Sequence, residues 1–152
     1  MDDKVLCSNR QAGYLYLLLE RYETGIALTG TEVKSIRNGK ANLKDAYATI
    51  QNGEAWLLNC HISPYVSGGP WNHEALRPRK LLLNRHEIDK LAGKTIQKGL
   101  TLIPLRMYFK NGKAKCELAL ARGKKHYDRR RDEREKETRR EVKDAMYRSR
   151  RR

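Results

Sequence analysis

The run Tyr47-Ala48-Thr49-Ile50-Gln51-Asn52-Gly53-Glu54-Ala55-Trp56-Leu57-Leu58 decides the fold class. Two short segments of aliphatic, aromatic and β-branched residues flank an Asn-Gly pair. A tight hairpin turn needs positive φ at both central positions, which Asn tolerates and Gly adopts freely. A β-hairpin follows, with its second strand continuing through Asn59, Cys60, His61 and Ile62. The same pattern recurs downstream, where residues 100–109 and 114–121 alternate apolar with polar around Asn111-Gly112. Pro104 marks a bulge or an edge there, because proline donates no ladder hydrogen bond.

Upstream of the first hairpin lies Gly30-Thr31-Glu32-Val33-Lys34-Ser35-Ile36-Arg37-Asn38-Gly39-Lys40-Ala41-Asn42-Leu43-Lys44-Asp45. It reads as a strand ending at Gly30, a short helix over 31–38 carrying Lys34 and Arg37, and an exit at Asn38-Gly39 that delivers Lys40 and Lys44. Before it, the apolar run 14–19 and the segment 26–28 predict two strands around a turn at Gly25. Residues 1–12 open the chain as a polar arm expected to fray.

Between the hairpins, residues 63–79 hold Pro64, Gly68, Gly69, Pro70 and Pro78 and predict a long surface loop. A brief apolar run at 80–83 then leads into a helix capped by Asn84, with Glu87 three residues on and Gly93 as its close. This order of elements predicts a mainly β chain. It is a small OB-like barrel, closed or partly open, with one or two inserted helices.

The division of charge sets the second half of the expectation. The chain has 152 residues, 33 Lys and Arg against 18 Asp and Glu, and a net charge of +15. Over residues 122–152, 15 Lys and Arg meet 7 Asp and Glu, so this segment carries +8 and leaves +7 on the body. We therefore divide the chain into a barrel over 1–122 and a basic tail over 123–152. The tail has too few apolar side chains to offset backbone ordering and is expected to be disordered when free. Its stretch 132–147 lacks Gly and Pro, pairs opposite charges at helical spacing, and sets Val142 and Met146 four apart, so a helix can form on binding.

Such a balance points to a polyanion, since Lys and Arg release condensed counterions when they neutralise phosphates. No apolar run approaches the roughly 20 residues that span a bilayer, no secretory pattern opens the chain, and a cytoplasmic protein with no membrane partner is expected. Cys7, Cys60 and Cys116 are far apart and form no Cys-x-x-Cys pair, so reduced thiols are predicted, with no metal and no cofactor. His61 beside Cys60 points to the opposite face of a strand. No paired carboxylates, triad spacing or phosphate loop suggests an enzyme.

On the body, Lys34, Arg37, Lys40, Lys44, Arg79, Lys80 and Arg85 are candidates for phosphate contact, set against their alternative as solvated surface charges. Tyr14, Tyr16, Tyr22, Tyr47 and Trp56 fit a core, whereas Trp71 in the loop is expected in solvent. In the tail, Gly123-Lys124-Lys125-His126-Tyr127-Asp128-Arg129-Arg130-Arg131 gathers cations around two rings, a composition suited to folding against RNA or simply to raising affinity.

Three blocks, Gly30–Asp45 as quoted, Arg79-Lys80-Leu81-Leu82-Leu83-Asn84, and Gly123-Lys124-Lys125-His126-Tyr127-Asp128-Arg129-Arg130, resemble the signature of the small protein B (SmpB) family of SsrA-binding proteins. The resemblance implies an OB-like barrel that binds the tRNA-like domain of transfer-messenger RNA (tmRNA) and accompanies it into ribosomes stalled on broken messages. It also implies that the protein stands in for the missing codon–anticodon stem. Carried over by position, Glu23, Leu82 and Asn84 resemble the family's RNA-binding residues, with Lys34, Arg37, Lys40, Asn42, Lys44 and Lys80 around them. Gly123, Lys124, Lys125, His126, Tyr127, Asp128, Arg129 and Arg130 resemble the block at the decoding centre of the small ribosomal subunit RNA, while Val142 and Met146 would face the mRNA channel. Elongation factor Tu is implied as an indirect partner through charged tmRNA, and a monomer is expected. The chain departs from the family's usual residues near Gly13 and Thr138. Two other readings stay open from composition alone: a structural ribosomal protein, and a general single-strand RNA-binding OB protein.

Overall fold

The computed structural model describes residues 4–96, 99–124 and 126–150, and it describes the backbone alone at 126–129, 131, 132, 149 and 150. Its centre is a ring of antiparallel strands: β2 (Tyr16–Ile26), β4 (Tyr47–Gln51), β5 (Glu54–Leu58), β7 (Arg79–Leu82), β8 (Leu100–Lys110) and β9 (Lys113–Gly123). Their order β8-β4-β5-β7-β2-β9 returns to β8 through the β8–β9 hairpin, so the barrel is closed. Both Asn-Gly turns form as the sequence predicts. Asn52 and Gly53 have φ of 53° and 75°, and Asn111 and Gly112 have φ of 52° and 74°.

Two bulges shape the barrel. In β8 the pairing jumps from Pro104↔Leu118 to Arg106↔Glu117, and in β2 it jumps from Leu18↔Ala121 to Glu20↔Leu120. An unpaired residue reverses which side chains face inward. Leu102 before the β8 bulge and Met107 after it thus share the interior with Leu57, Leu81, Leu118 and Leu120. Ile103, Ala119 and Ala121 face out and form a small second core with Ala12 of the one-turn helix α1 (Ala12–Leu15). The small Ala side chains let that turn lie close to the barrel wall.

Several expectations are corrected. Tyr14 and Leu15 belong to α1, so the strand expected over 14–19 begins at Tyr16, and Tyr47, expected in the core, is 40% exposed. The opening arm is not frayed over its whole length, because β1 (Val5–Ser8) pairs with β8 at residues 106–108, beyond the point where β4 leaves that edge. Gly25 is no turn: β2 runs through it, pairing Gly25 with Lys115 on one side and Leu82 on the other. The second hairpin strand stops at Leu58. Asn59, at φ 57°, redirects the chain so that β6 (His61–Ile62) pairs with β3 (Ala41–Asn42) in a separate small sheet. Finally, α3 (Arg85–Thr95) passes through Gly93 and ends two residues later.

Helix α2 (Gly30–Arg37) starts one residue before the predicted helix. Thr29 and Glu32 form a reciprocal capping box, with Thr29 N donating to Glu32 Oε1 at 2.9 Å. Ile36 of α2 and Leu91 of α3 close the core. Cys60 and Cys116 are buried, Cys7 is half-buried, and all three thiols are free. Burial pushes Cys7 up to about 11 and Cys60 to about 12, so these thiols stay protonated near neutrality. After Gly123 the chain forms α4 (His126–Arg150), whose described side chains are exposed.

Candidate nucleic-acid interface

Spacing on a helix puts residues three apart on neighbouring positions, yet the two cations of α2 are sent to different supports. Lys34 Nζ lies 5.4 Å from the centre of the Tyr65 ring, in the loop at 63–78. Arg37 Cζ lies 5.0 Å from the centre of the Phe109 ring, on β8. A ring face attracts the cation without neutralising it, so both charges stay exposed and oriented. Lys40 and Lys44 are exposed on the segment that follows, and Asn42 Oδ1 accepts a hydrogen bond from Lys44 N at 2.8 Å. Asn42 and Lys44 border a hollow of about 200 Å³ with Arg10 on its far side. The sequence reading missed Arg10, because it placed that residue in a frayed arm.

On the other side of α2, a cleft of about 520 Å³ is lined by Arg37, Phe109, Leu82, Lys113 and Lys115. Leu82 is 53% exposed and lines this cleft, whereas the exposed Leu17 and Leu19 of β2 do not. It is held in place by Gly25, where an added Cβ would come within 3.2 Å of the Leu82 Cβ. Lys113 and Lys115 were also missed by the sequence reading. Only closure of the barrel brings them to Arg37.

Glu23 stands one register step away, on the outer face of β2. Its Oε2 accepts from Tyr108 Oη at 2.5 Å and from Lys110 Nζ at 3.5 Å. The Tyr108 hydrogen bond, aided by Lys110 and Lys115, holds the carboxyl below its ordinary range against the effect of desolvation. Glu23 is thus a fixed anionic acceptor among cations, suited to ribose hydroxyls or base amino groups.

Other candidates serve the fold first. Arg79 is corrected: it is fully buried and donates from Nε to Glu32 Oε2 at 2.5 Å, so it offers no phosphate contact. Its Nη1 also donates to the Cys60 carbonyl and to Ala75 O. Arg77 Nη2 reaches Glu32 Oε1 at 2.6 Å, so one carboxylate binds two guanidinium groups and caps α2 as well. Lys80 Nζ is 3.2 Å from Glu54 Oε1, and Arg85 is 3.6 Å from Asp89. Asn84 is exposed, and its Oδ1 caps α3 by accepting from Glu87 N at 2.9 Å.

The tail leaves from the opposite end of the barrel. Gly123 pairs with Tyr16 at the start of β2, nine residues from Gly25. At about 3.3 Å per residue, the two ends lie roughly 30 Å apart along the strand. Lys124 N donates to Leu15 O at 2.9 Å and its Nζ to Gly13 O at 2.8 Å, while Tyr14 Oη donates to Glu133 Oε1 at 2.9 Å. Lys125 lies outside the described residues, as do the side chains of His126, Tyr127, Asp128 and Arg129. Arg130 is exposed. Val142 and Met146 are 50% and 60% exposed, one helical turn apart.

The family model described as "SmpB protein" matches residues 6–148. The chain belongs to the SmpB family. It is 60% identical over 140 residues to the "SsrA-binding protein" of Desulforudis audaxviator, covering 92% of each chain. It is 58% identical over 144 residues to the protein of that name in Thermosynechococcus vestitus, covering 94% of this chain and 95% of the relative. A chain in a solved structure, "tmRNA-SmpB: a journey to the center of the bacterial ribosome", is 51% identical with a TM-score of 0.67, covering 79% of this chain and 85% of that one. The span matched to SmpB takes in most of β1 at one end and most of α4 at the other, so neither is an appendage peculiar to this chain.

Proposed function

We propose that this chain binds the tRNA-like domain of tmRNA and brings it to stalled ribosomes for trans-translation, leading to peptide tagging and ribosome rescue. The observation that carries the reading is the placement of two cationic surfaces at opposite ends of one rigid barrel. The first consists of α2 and the cleft at Leu82, where braced cations, an exposed apolar side chain and the Glu23 carboxylate give phosphates, bases and ribose their separate partners. The second is α4, which packs against α1 through Glu133 and is rich in Lys and Arg. A protein with one RNA at each end can hold tmRNA with the body and engage the decoding centre and mRNA channel with the tail. The relatives named for SsrA binding and the structural neighbour named for tmRNA on the ribosome support the same division.

In this role Glu23, Lys34, Arg37, Lys40, Asn42, Lys44, Leu82 and Asn84 face tmRNA, with Lys80 at the margin. The block from Gly123 to Arg130, with Val142 and Met146, faces the small-subunit RNA. A strongly charged helix whose few described apolar side chains, Val142 and Met146 among them, stay exposed gains little from packing, so α4 exchanges with coil in the free protein and is fixed by ribosomal RNA. The protein makes and breaks no covalent bond, works as a monomer in the cytoplasm without a cofactor, and meets elongation factor Tu only through the charged RNA. No helix among the described residues is long and apolar enough to cross a membrane.

The test is binding to the tRNA-like domain and to an ordinary elongator tRNA, side by side at near-physiological salt. Strong preference for the former is expected. Equal weak binding to both would reduce the first surface to nonspecific charge, and retention on ribosomes through a salt wash without tmRNA would favour a structural ribosomal protein.

A further inference from the structure

The loop between β6 and β7 is internally clamped and leaves Trp71 in water, along with Val66 and Leu76. Asn72 Oδ1 accepts from Tyr65 N at 3.1 Å, and its Nδ2 donates to Tyr65 O at 2.6 Å, closing the loop on itself. Gly68 lies against this amide so closely that a Cβ would fall 2.8 Å from it, and Gly69, at φ 59°, opens a single 3-10 turn over Gly69–Trp71. His73 is buried and pins the loop to its surroundings, its ring lying 3.0 Å from Ile62 O and 2.8 Å from Thr31 Oγ1 at the start of α2. At the apex the Trp71 side chain is left 88% exposed. An indole so placed forgoes burial that other aromatics obtain, and the clamped loop prevents it from folding back.

We infer that Trp71 is a stacking platform for an unpaired nucleobase of the bound RNA, at a contact separate from the cleft beside Leu82. The inference rests on the RNA-binding reading above. The surrounding charge favours a base over an apolar protein segment. Lys34 lies over Tyr65, whose backbone Asn72 clamps, and Lys40 O accepts from Ser63 N where the loop begins. Of the nearby carboxylates, Glu32 is consumed by Arg77 and Arg79, and Glu74 is the one exposed in the loop. An exposed ring on a loop that packs against a helix bearing Lys34 and Arg37 is a combination that binds single-stranded nucleic acid, the ring taking a base face and the cations its phosphates. Lys34 thus lies against Tyr65 of the same loop while Arg37 lines the cleft, and α2 divides its cations between two supports.

The experiment compares the full chain with Trp71→Ala and Trp71→Phe, titrated with the tRNA-like domain of tmRNA at several salt concentrations. The other tryptophan, Trp56, is half-buried on β5 and reports the unaffected background. Quenching of indole emission on saturation is expected in the parent and is expected to be lost in Trp71→Phe. Affinity should fall about 5- to 100-fold in Trp71→Ala and only a few-fold in Trp71→Phe, with the slope of log Kd against log salt unchanged, because stacking releases no counterions. Undiminished affinity in Trp71→Ala, with the parent binding normally, would overturn the platform and leave the RNA reading intact. Loss of ribosome association with unchanged RNA affinity would overturn it in favour of a protein contact. A parent that does not discriminate the tRNA-like domain would overturn both.

Discussion

Arg79 Nε donates to Glu32 Oε2 at 2.5 Å, and neither side chain is exposed to solvent. This contact ties α2, which carries Lys34 and Arg37, to β7, which carries Leu82, and so fixes the two halves of the cleft. Two charges taken out of water cost several kcal/mol each unless their hydrogen bonds are satisfied, and here Arg77, Thr29 N and the Cys60 carbonyl complete the set.

Removing one partner should therefore be severe. Glu32→Ala leaves Arg79 buried without its counter-ion and is expected to cost about 3–5 kcal/mol in urea unfolding. Burial raises the Glu32 carboxyl, but hydrogen bonds from Arg77, Thr29 N and Arg79 together overcome that and leave it lowered. A lowered folded-state value stabilises the fold above the unfolded carboxylate range, about 4.3, and that stabilisation is lost as pH falls through the folded value. Stability should fall on acidification in the parent and less steeply in Glu32→Gln.

Asn84 has two roles that one substitution confounds. Asn84→Ala removes the α3 cap and should cost about 1 kcal/mol, whereas Asn84→Ser keeps a cap and should stay within a few tenths. Weaker binding to the tRNA-like domain in both variants, with unfolding changed only in the first, is the result expected if the amide touches RNA. Binding lost only alongside stability would leave Asn84 as a cap.

Gly25→Val tests the cleft floor. The added Cβ meets the Leu82 Cβ at 3.2 Å, so Leu82 must give by a few tenths of an ångström and the branched methyls crowd it further. RNA affinity should drop several-fold, at a cost to stability of about 1–3 kcal/mol from overpacking. Unchanged affinity would show that Leu82 is not part of the interface.

Truncation after Lys124 preserves the Gly123↔Tyr16 pairing and the Lys124 N bond to Leu15 O. The shortened protein should bind the tRNA-like domain about as tightly as the full chain and fail to support tagging on stalled ribosomes. Equal loss of both would contradict the division of labour between barrel and α4.

Lys34→Ala and Arg37→Ala should each weaken RNA binding and reduce the salt slope by roughly 1, as expected for one lost phosphate contact. Lys80→Ala, at a position shared with Glu54, should change the slope less.

Local chemistry alone determined the two Asn-Gly hairpins, the cap at Asn84, an irregularity at Pro104 read as a bulge or an edge, and the unequal spread of charge between body and tail; the Thr29-x-x-Glu32 cap is equally local but was not read from the sequence. These depend on residues a few positions apart, and φ preference, side-chain capping and composition act over that range. Tertiary structure decided what depends on distant partners. Arg79 looked like a surface cation until Glu32 took it into the core, and Gly25 looked like a turn until Leu82 and Lys115 paired on both of its sides. β1 gained its place only from the free edge of β8. Lys113 and Lys115 became part of a site with Arg37 only when the strand ring closed. Burial and cross-strand pairing bring together residues far apart in the chain, and no window of sequence contains both partners.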